Sequence, residues 1–239
     1  MSLYRSLAPV DLQNVRRDPL LAWIGILPFV LALAYRLVPL LRDILLTRFA
    51  FDLQPYYTLI ASSFVGAAPG IAGMIAGFLL LDERDDGVLT AIAVTPVAPA
   101  AYVTYRIAAP LLVGFVTTVA AYPIIGFVPL AFHDLLAISA VAALSAPFTA
   151  LFLATFAQNK VAGFAIVKVL NLIGLAPIAA WFVAEPQQWI AGIVPSYWAM
   201  KMFWLTIEGR SYGTYALAGL AVTAAILAAL LSLFRRRQE

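Results

Sequence analysis

The 239-residue sequence contains no cysteine, which excludes disulfides, thiolate metal sites and cysteine nucleophiles. Its single histidine, His133, cannot by itself build a metal site or a proton relay, and no serine-histidine-acid catalytic set can be assembled around it. No G-x-x-x-x-G-K-[S/T] run occurs, so no phosphate loop is available to cradle a nucleotide. Charge is scarce as well: 11% of residues are charged and 64% are hydrophobic, with a mean hydropathy of +0.95. That balance excludes a water-soluble globular domain and makes a bilayer the solvent.

What is present is a series of apolar stretches, at roughly 20–41, 56–81, 102–128, 135–157, 161–183 and 212–234. Each is close to the ~20 residues that a helix needs to cross hydrocarbon. The expected fold is therefore all-α: a polytopic membrane protein of six transmembrane helices in one domain over residues 1–239, without an internal repeat or a low-complexity linker. Six spans put both ends on one side. Arg5, Arg16, Arg17, Arg84, Arg106, Lys160, Arg235, Arg236 and Arg237 then share a side, against Arg42, Arg48, Lys201 and Arg210 on the other. The positive-inside rule makes the first side, with the termini, cytoplasmic. The net charge of +3 and pI of 9.3 thus report topology, since the basic residues flank apolar runs and form no nucleic-acid patch. Residues 1–18 lack the basic, apolar, small-residue order of a cleavable signal peptide, so the first span is expected to be retained.

Leu3, Leu7 and Val10 recur at helical spacing with Arg5 and Asp11 between them, which suits an amphipathic elbow segment over 1–18 whose regularity Pro9 limits, the alternative being a frayed terminus. Asp18-Pro19 then opens the first span, Asp18 as cap and Pro19 at the first helical position. Segment 184–211, before the last span, is too apolar for an ordinary wet loop. Trp189, Ile190, Tyr197, Trp198, Phe203 and Trp204 fit either a re-entrant pair of short helices broken near Pro195 or an aromatic belt.

Ionisable groups within spans are expensive and mark function by default. Lys168 lies two helical turns into the fifth span with Asn171 one turn later on the same face. The pair either faces a cavity between two subunits and meets an acidic or polar part of a cargo, or Lys168 snorkels, being only ~12 Å of helix rise beyond Lys160. Arg36 lies near the outer end of the first span, where snorkelling is easier. Gly66, Gly70, Gly73 and Gly77 make two small-xxx-small patterns in the second span, read as close helix packing, with Gly70 and Gly73 also candidates for a substrate-facing groove.

The densest polar cluster is Asp82-Glu83-Arg84-Asp85-Asp86-Gly87 in the loop 82–100. Asp85 and Asp86 favour the positive end of a new helix, Gly87 permits a sharp turn, and Val88, Leu89 and Ile92 fall on one face before Thr95-Pro96. A short amphipathic helix offering an apolar ridge to a partner is expected there. The run from Glu83 to Leu89, continuing to Thr95-Pro96, resembles the signature after the second span of ABC-2 type (type V exporter) permeases. In that family an acidic residue four before a glycine, a Thr or Val after it, then Leu and a Thr/Ser-Pro are typical. Arg16-Arg17-Asp18-Pro19 and Pro195-Ser196-Tyr197-Trp198 resemble the same family at the first span and in the outer loop. Size and style are similar to permease subunits of bacterial drug exporters of the fluoroquinolone type.

The resemblance implies a subunit of an ATP-driven exporter of a hydrophobic or amphipathic cargo in a bacterial plasma membrane. In it Glu83, Arg84, Asp85, Asp86, Gly87, Val88, Leu89, Ile92, Thr95 and Pro96 form the coupling region. Two copies of a separate ATP-binding subunit would carry ATP and Mg²⁺, this chain would hold no cofactor, and a second permease subunit, identical or related, would complete the cavity. Rival readings are a metal-binding enzyme site at Asp82, Asp85 and Asp86, a loop that merely caps a helix, a secondary transporter, and a non-transporting assembly protein. Prenyltransferase and phosphotransferase chemistry needs further acidic clusters that the chain lacks, and secondary transport needs mid-span acids that are also missing.

Overall fold

The computed structural model describes residues 3–87 and 99–236. All regular structure among them is helical: α1 (Leu3–Arg17), α2 (Pro19–Tyr35), α3 (Val38–Phe49), α4 (Tyr57–Asp85), α5 (Pro99–Ile125), α6 (Phe132–Ala142), α7 (Ser145–Phe156), α8 (Lys160–Ile173), α9 (Leu175–Ala180), α10 (Ser196–Ile207) and α11 (Gly213–Arg236). Six stretches are long and apolar enough to cross a membrane: Pro19–Phe49, Gln54–Asp85, Thr104–Ile125, Phe132–Phe156, Lys160–Ala180 and Gly213–Phe234. They match the six apolar runs of the sequence. The protein is an integral membrane protein.

The spans are not equivalent. The second and fourth have 67% of their apolar windows buried, the other four 17–28%. The second and fourth therefore form the centre, and the rest lean on it. Their contact is built from small residues, because apolar side chains gain little by leaving lipid and close backbone approach must supply the attraction. A Cβ at Gly73 would collide with the Ala146 carbonyl, and one at Gly77 would lie 2.7 Å from Leu153 Cδ1. Gly70 differs, since its nearest neighbour would be Thr149 Oγ1 at an ordinary 3.7 Å.

Local chemistry fixes the starts of the spans. Asp18 caps α2, accepting from the amides of Leu20 at 2.9 Å and Leu21 at 3.4 Å, with Pro19 at the first position. Asn159 does the same for α8 through the Ala162 amide at 2.9 Å. Lys160 then ties these two starts to the end of α4, with Nζ 2.9 Å from both Asp18 and Asp82. This hydrogen bond to Lys160 holds the Asp18 carboxyl below its usual range.

The first apolar element runs further than expected, to Phe49. It breaks at Arg36-Leu37, and α3 restarts with Pro39 in its first turn. None of α3 is buried. Arg36 sits at this break and donates to the Ile124 carbonyl at 3.4 Å, a protein partner in place of simple snorkelling.

The segment before the last span folds as a 3-10 turn, Gln187–Ile193, followed by α10, with the break at Val194-Pro195. Nine consecutive residues of α10, Tyr197 to Leu205, are buried, so this helix lies inside the bundle against α4, α6 and α11, not as a surface belt. Both of its indole N–H groups have a partner: Trp198 Nε1 donates to the Gly192 carbonyl at 2.9 Å and Trp204 Nε1 to Ser62 Oγ at 2.7 Å. Lys201, which the charge distribution puts on the outer side, is 5% exposed. Its Nζ lies 2.5 Å from Glu185 and 2.8 Å from Gln188 Oε1, against the faces of Trp204 and Tyr215. An unpartnered ammonium could not stay there.

Candidate functional site

At the end of the bundle that carries the chain termini, Arg106 of α5 is buried between two acidic groups from distant elements. Its Nη1 lies 2.8 Å and its Nη2 3.3 Å from the two carboxylate oxygens of Asp11 on α1, a bidentate pair. On its other side Nη2 pairs with Glu83 at the end of α4. Tyr105 donates to Asp11 at 2.6 Å and Tyr102 donates to Glu83, while both rings lie under the guanidinium, 5.3 and 5.4 Å from its carbon. With Arg106 at 6% and each carboxylate at 17% side-chain exposure, this is one shielded cluster that clasps α1, α4 and α5.

The sequence-read coupling run thus divides. Glu83 is turned inward to Arg106. Arg84 also turns inward, its Nη2 donating to the carbonyls of Ala157 at 2.7 Å and Gln158 at 2.6 Å and so closing the end of α7. Asp85 and Asp86 are exposed and, with Asp82, Asp18, Asn14, Arg17 and Leu21, line an open cleft of about 460 Å³. Gly87 turns the chain at φ 67°, the sharp turn its lack of a Cβ allows. Val88, Leu89, Ile92, Thr95 and Pro96, with the short helix expected on them, lie outside the described residues. Arg106 had been read only as a topological charge; its place just inside an apolar span was the signal that could have found it.

The second feature is a groove of about 440 Å³. Leu27, Leu31 and Tyr35 of α2 form one wall, Val167, Leu170 and Asn171 of α8 the other, and Gly66, Gly70 and Met74 of α4 the floor. Ser145, Phe148 and Thr149 of α7 and Pro195, Ser196 and Met200 around the start of α10 complete it. The groove thus takes residues from spans one, two, four and five and from α10. Among the described residues no charged side chain lines it; its polar groups are hydroxyls and the Asn171 amide, with Tyr35 and Ser63 hydrogen-bonded at 2.9 Å. Gly70 opens onto the groove, whereas Gly73 is packed against α7. Lys168 is exposed on α8, one turn before Asn171.

An uncharged groove along the span direction and a charge clasp at one end suit movement of a cargo more than covalent chemistry. Comparison with known proteins agrees. The family model described as the Rv2686c-like fluoroquinolones export permease protein matches residues 11–231. The fluoroquinolones export permease proteins Rv2686c and MT2760, from Mycobacterium tuberculosis strains ATCC 25618 / H37Rv and CDC 1551 / Oshkosh, are each 35% identical over 231 residues, 95% of this chain and 92% of theirs. No solved structure matches the chain.

Proposed function

Because the chain belongs to the Rv2686c-like fluoroquinolone export permease family, we propose that it is the membrane-spanning permease subunit of an ATP-driven ABC-2 type drug exporter. The cargo is a hydrophobic or amphipathic molecule of the fluoroquinolone kind, taken from the cytoplasm or inner leaflet of a bacterial plasma membrane. Both termini are cytoplasmic, as the distribution of Arg and Lys favours. Two ATP-binding subunits would supply the energy and a second permease the facing wall of the cavity.

The observation that carries this reading is the uncharged groove between α2 and α8 over α4, wide enough for a small drug and lying along the membrane crossing. Force from the ATPase would enter at 82–96 and at the acidic cleft beside it, and would reach α5 and α1 through the Arg106 clasp as a rigid-body movement. Lys168, Asn171 and Gly70 are the substrate-path residues. The test is a mild-detergent pull-down of the tagged chain from its native host, with mass spectrometry of stoichiometric partners. An ATP-binding subunit among them is the expected result. An intact complex without any ATPase would mean a stand-alone membrane carrier.

A further inference from the structure

The chain has three lysines, at 160, 168 and 201. Lys160 is held by Asp18 and Asp82, and Lys201 by Glu185 and Gln188. Lys168 has no ion pair among the described residues, although it lies deeper in its span than Lys160 by eight residues, about 12 Å of helix rise. Lys160 marks the level at which this end of the bundle carries its carboxylates, Asp18 and Asp82, so Lys168 is two turns below it.

Among the described residues no acid lies beside Lys168. The carboxylates of Asp11, Asp18, Asp82, Glu83, Asp85 and Asp86 gather at the termini-bearing end, and Asp43, on α3 past the break in the first span, Asp52, Asp134, Glu185 and Glu208 belong to the far end. The described residues of a second copy have the same distribution. Lys168 adjoins the groove wall: Val167 and Asn171 line the groove, and Asn171 stands one helical turn from Lys168 on the exposed side of α8. A cation at the edge of a cavity whose own lining is uncharged is the condition under which it discriminates, since it gains little competition from neighbouring charge and is weakly screened by water.

Resting on the proposed function, we infer that Lys168, with the Asn171 amide beside it, is the specificity-determining group of the groove and selects cargo bearing an anionic oxygen group, a carboxylate, next to an apolar ring system. The ring system fills the space between α2 and α8 over Gly70, and the carboxylate comes to the Lys168 ammonium at the rim. The competing source of the same chemistry is the phosphate of an anionic lipid.

The experiment measures binding of a fluoroquinolone and of its methyl ester, by quinolone fluorescence, to the purified full chain in phosphatidylcholine nanodiscs. The free acid is expected to bind about tenfold or more tighter than the ester, the worth of one charged hydrogen bond. Lys168→Gln should remove that preference, and Lys168→Arg should keep it. Lys168 is exposed, so the fold should survive, and a thermal melt of each variant checks this. An acid preference that persists in Lys168→Gln overturns the inference and leaves the drug groove standing. Saturable binding of neither form to folded protein overturns the groove reading and this inference together. If phosphatidylglycerol abolishes the acid preference of the wild type, Lys168 reads lipid phosphate, and the cargo assignment is overturned.

Discussion

Arg106 shows how one side chain joins segments that are far apart in the chain. Truncating it would strand the Asp11 and Glu83 carboxylates in a shielded site, a cost of about 3–5 kcal/mol for a buried pair broken on one side. Arg106→Ala is therefore expected to lower the melting temperature and to unfasten α1. Arg106→Lys keeps the charge but loses the bidentate fork to Asp11. It should stay folded, yet show weaker dependence of ATPase activity on drug in the assembled complex; full drug stimulation in Arg106→Lys would reduce the clasp to a purely structural role. This site was half legible. The acidic run at 82–86 stands out in the sequence, but the pairing of Glu83 with Arg106 does not. The reason is tertiary: its counter-charge lies in another span, and the second acid, Asp11, lies 95 residues before Arg106. No local spacing rule reaches that far.

At the scale of elements, hydropathy alone located five of the six spans to within a few residues at both ends, because the bilayer imposes one length on each crossing. The exception is the first, where the apolar run continues past Arg36 as α3. The burial of α10 was partly legible, since aromatic residues in a loop region demand cover. Its polar fastening was not, because Lys201 looks like any outer-loop charge until Glu185 and Gln188 are folded onto it. The Lys201 hydrogen bond, then the Tyr215 hydroxyl, hold the Glu185 carboxyl below its ordinary range. A lowered carboxylate adds stability that is present above the unfolded value and is lost as pH falls through the folded one. The fastening is thus expected to be indifferent to pH from neutrality down to about 4.5 and to open only in stronger acid. Trp181, Trp189, Trp198 and Trp204 surround it, and Trp23 alone lies elsewhere, so tryptophan emission reports the change. Glu185→Gln should give the acid-type spectrum already at neutral pH; an unchanged spectrum would mean that ring packing alone holds α10.

Taken whole, the molecule is a two-span centre, α4 with α6–α7, against which four other crossings rest. The groove lies where α2 and α8 both lean on α4, so its width is set by the separation of two outer elements over that floor. Absence of native cysteine makes that separation measurable. With Leu27→Cys and Leu170→Cys on the two walls, a reducible bismaleimide bridge should stop drug efflux while the partner subunit still co-purifies, and reduction should restore it. Efflux undiminished by the bridge would place the cargo path elsewhere, on a face shared with a second subunit.

The N-terminal helix is pinned to the bundle twice, by Asp11 on Arg106 and, just past its end, by Asp18 on Lys160. The pins are seven residues apart, about 10 Å along a helix. A rod held by one pin swivels when pushed, and the push is lost as rotation. Held by two, it can only travel with the frame it is bolted to, so a displacement applied at the end of α4 arrives at the start of α2 as a displacement, with its direction kept.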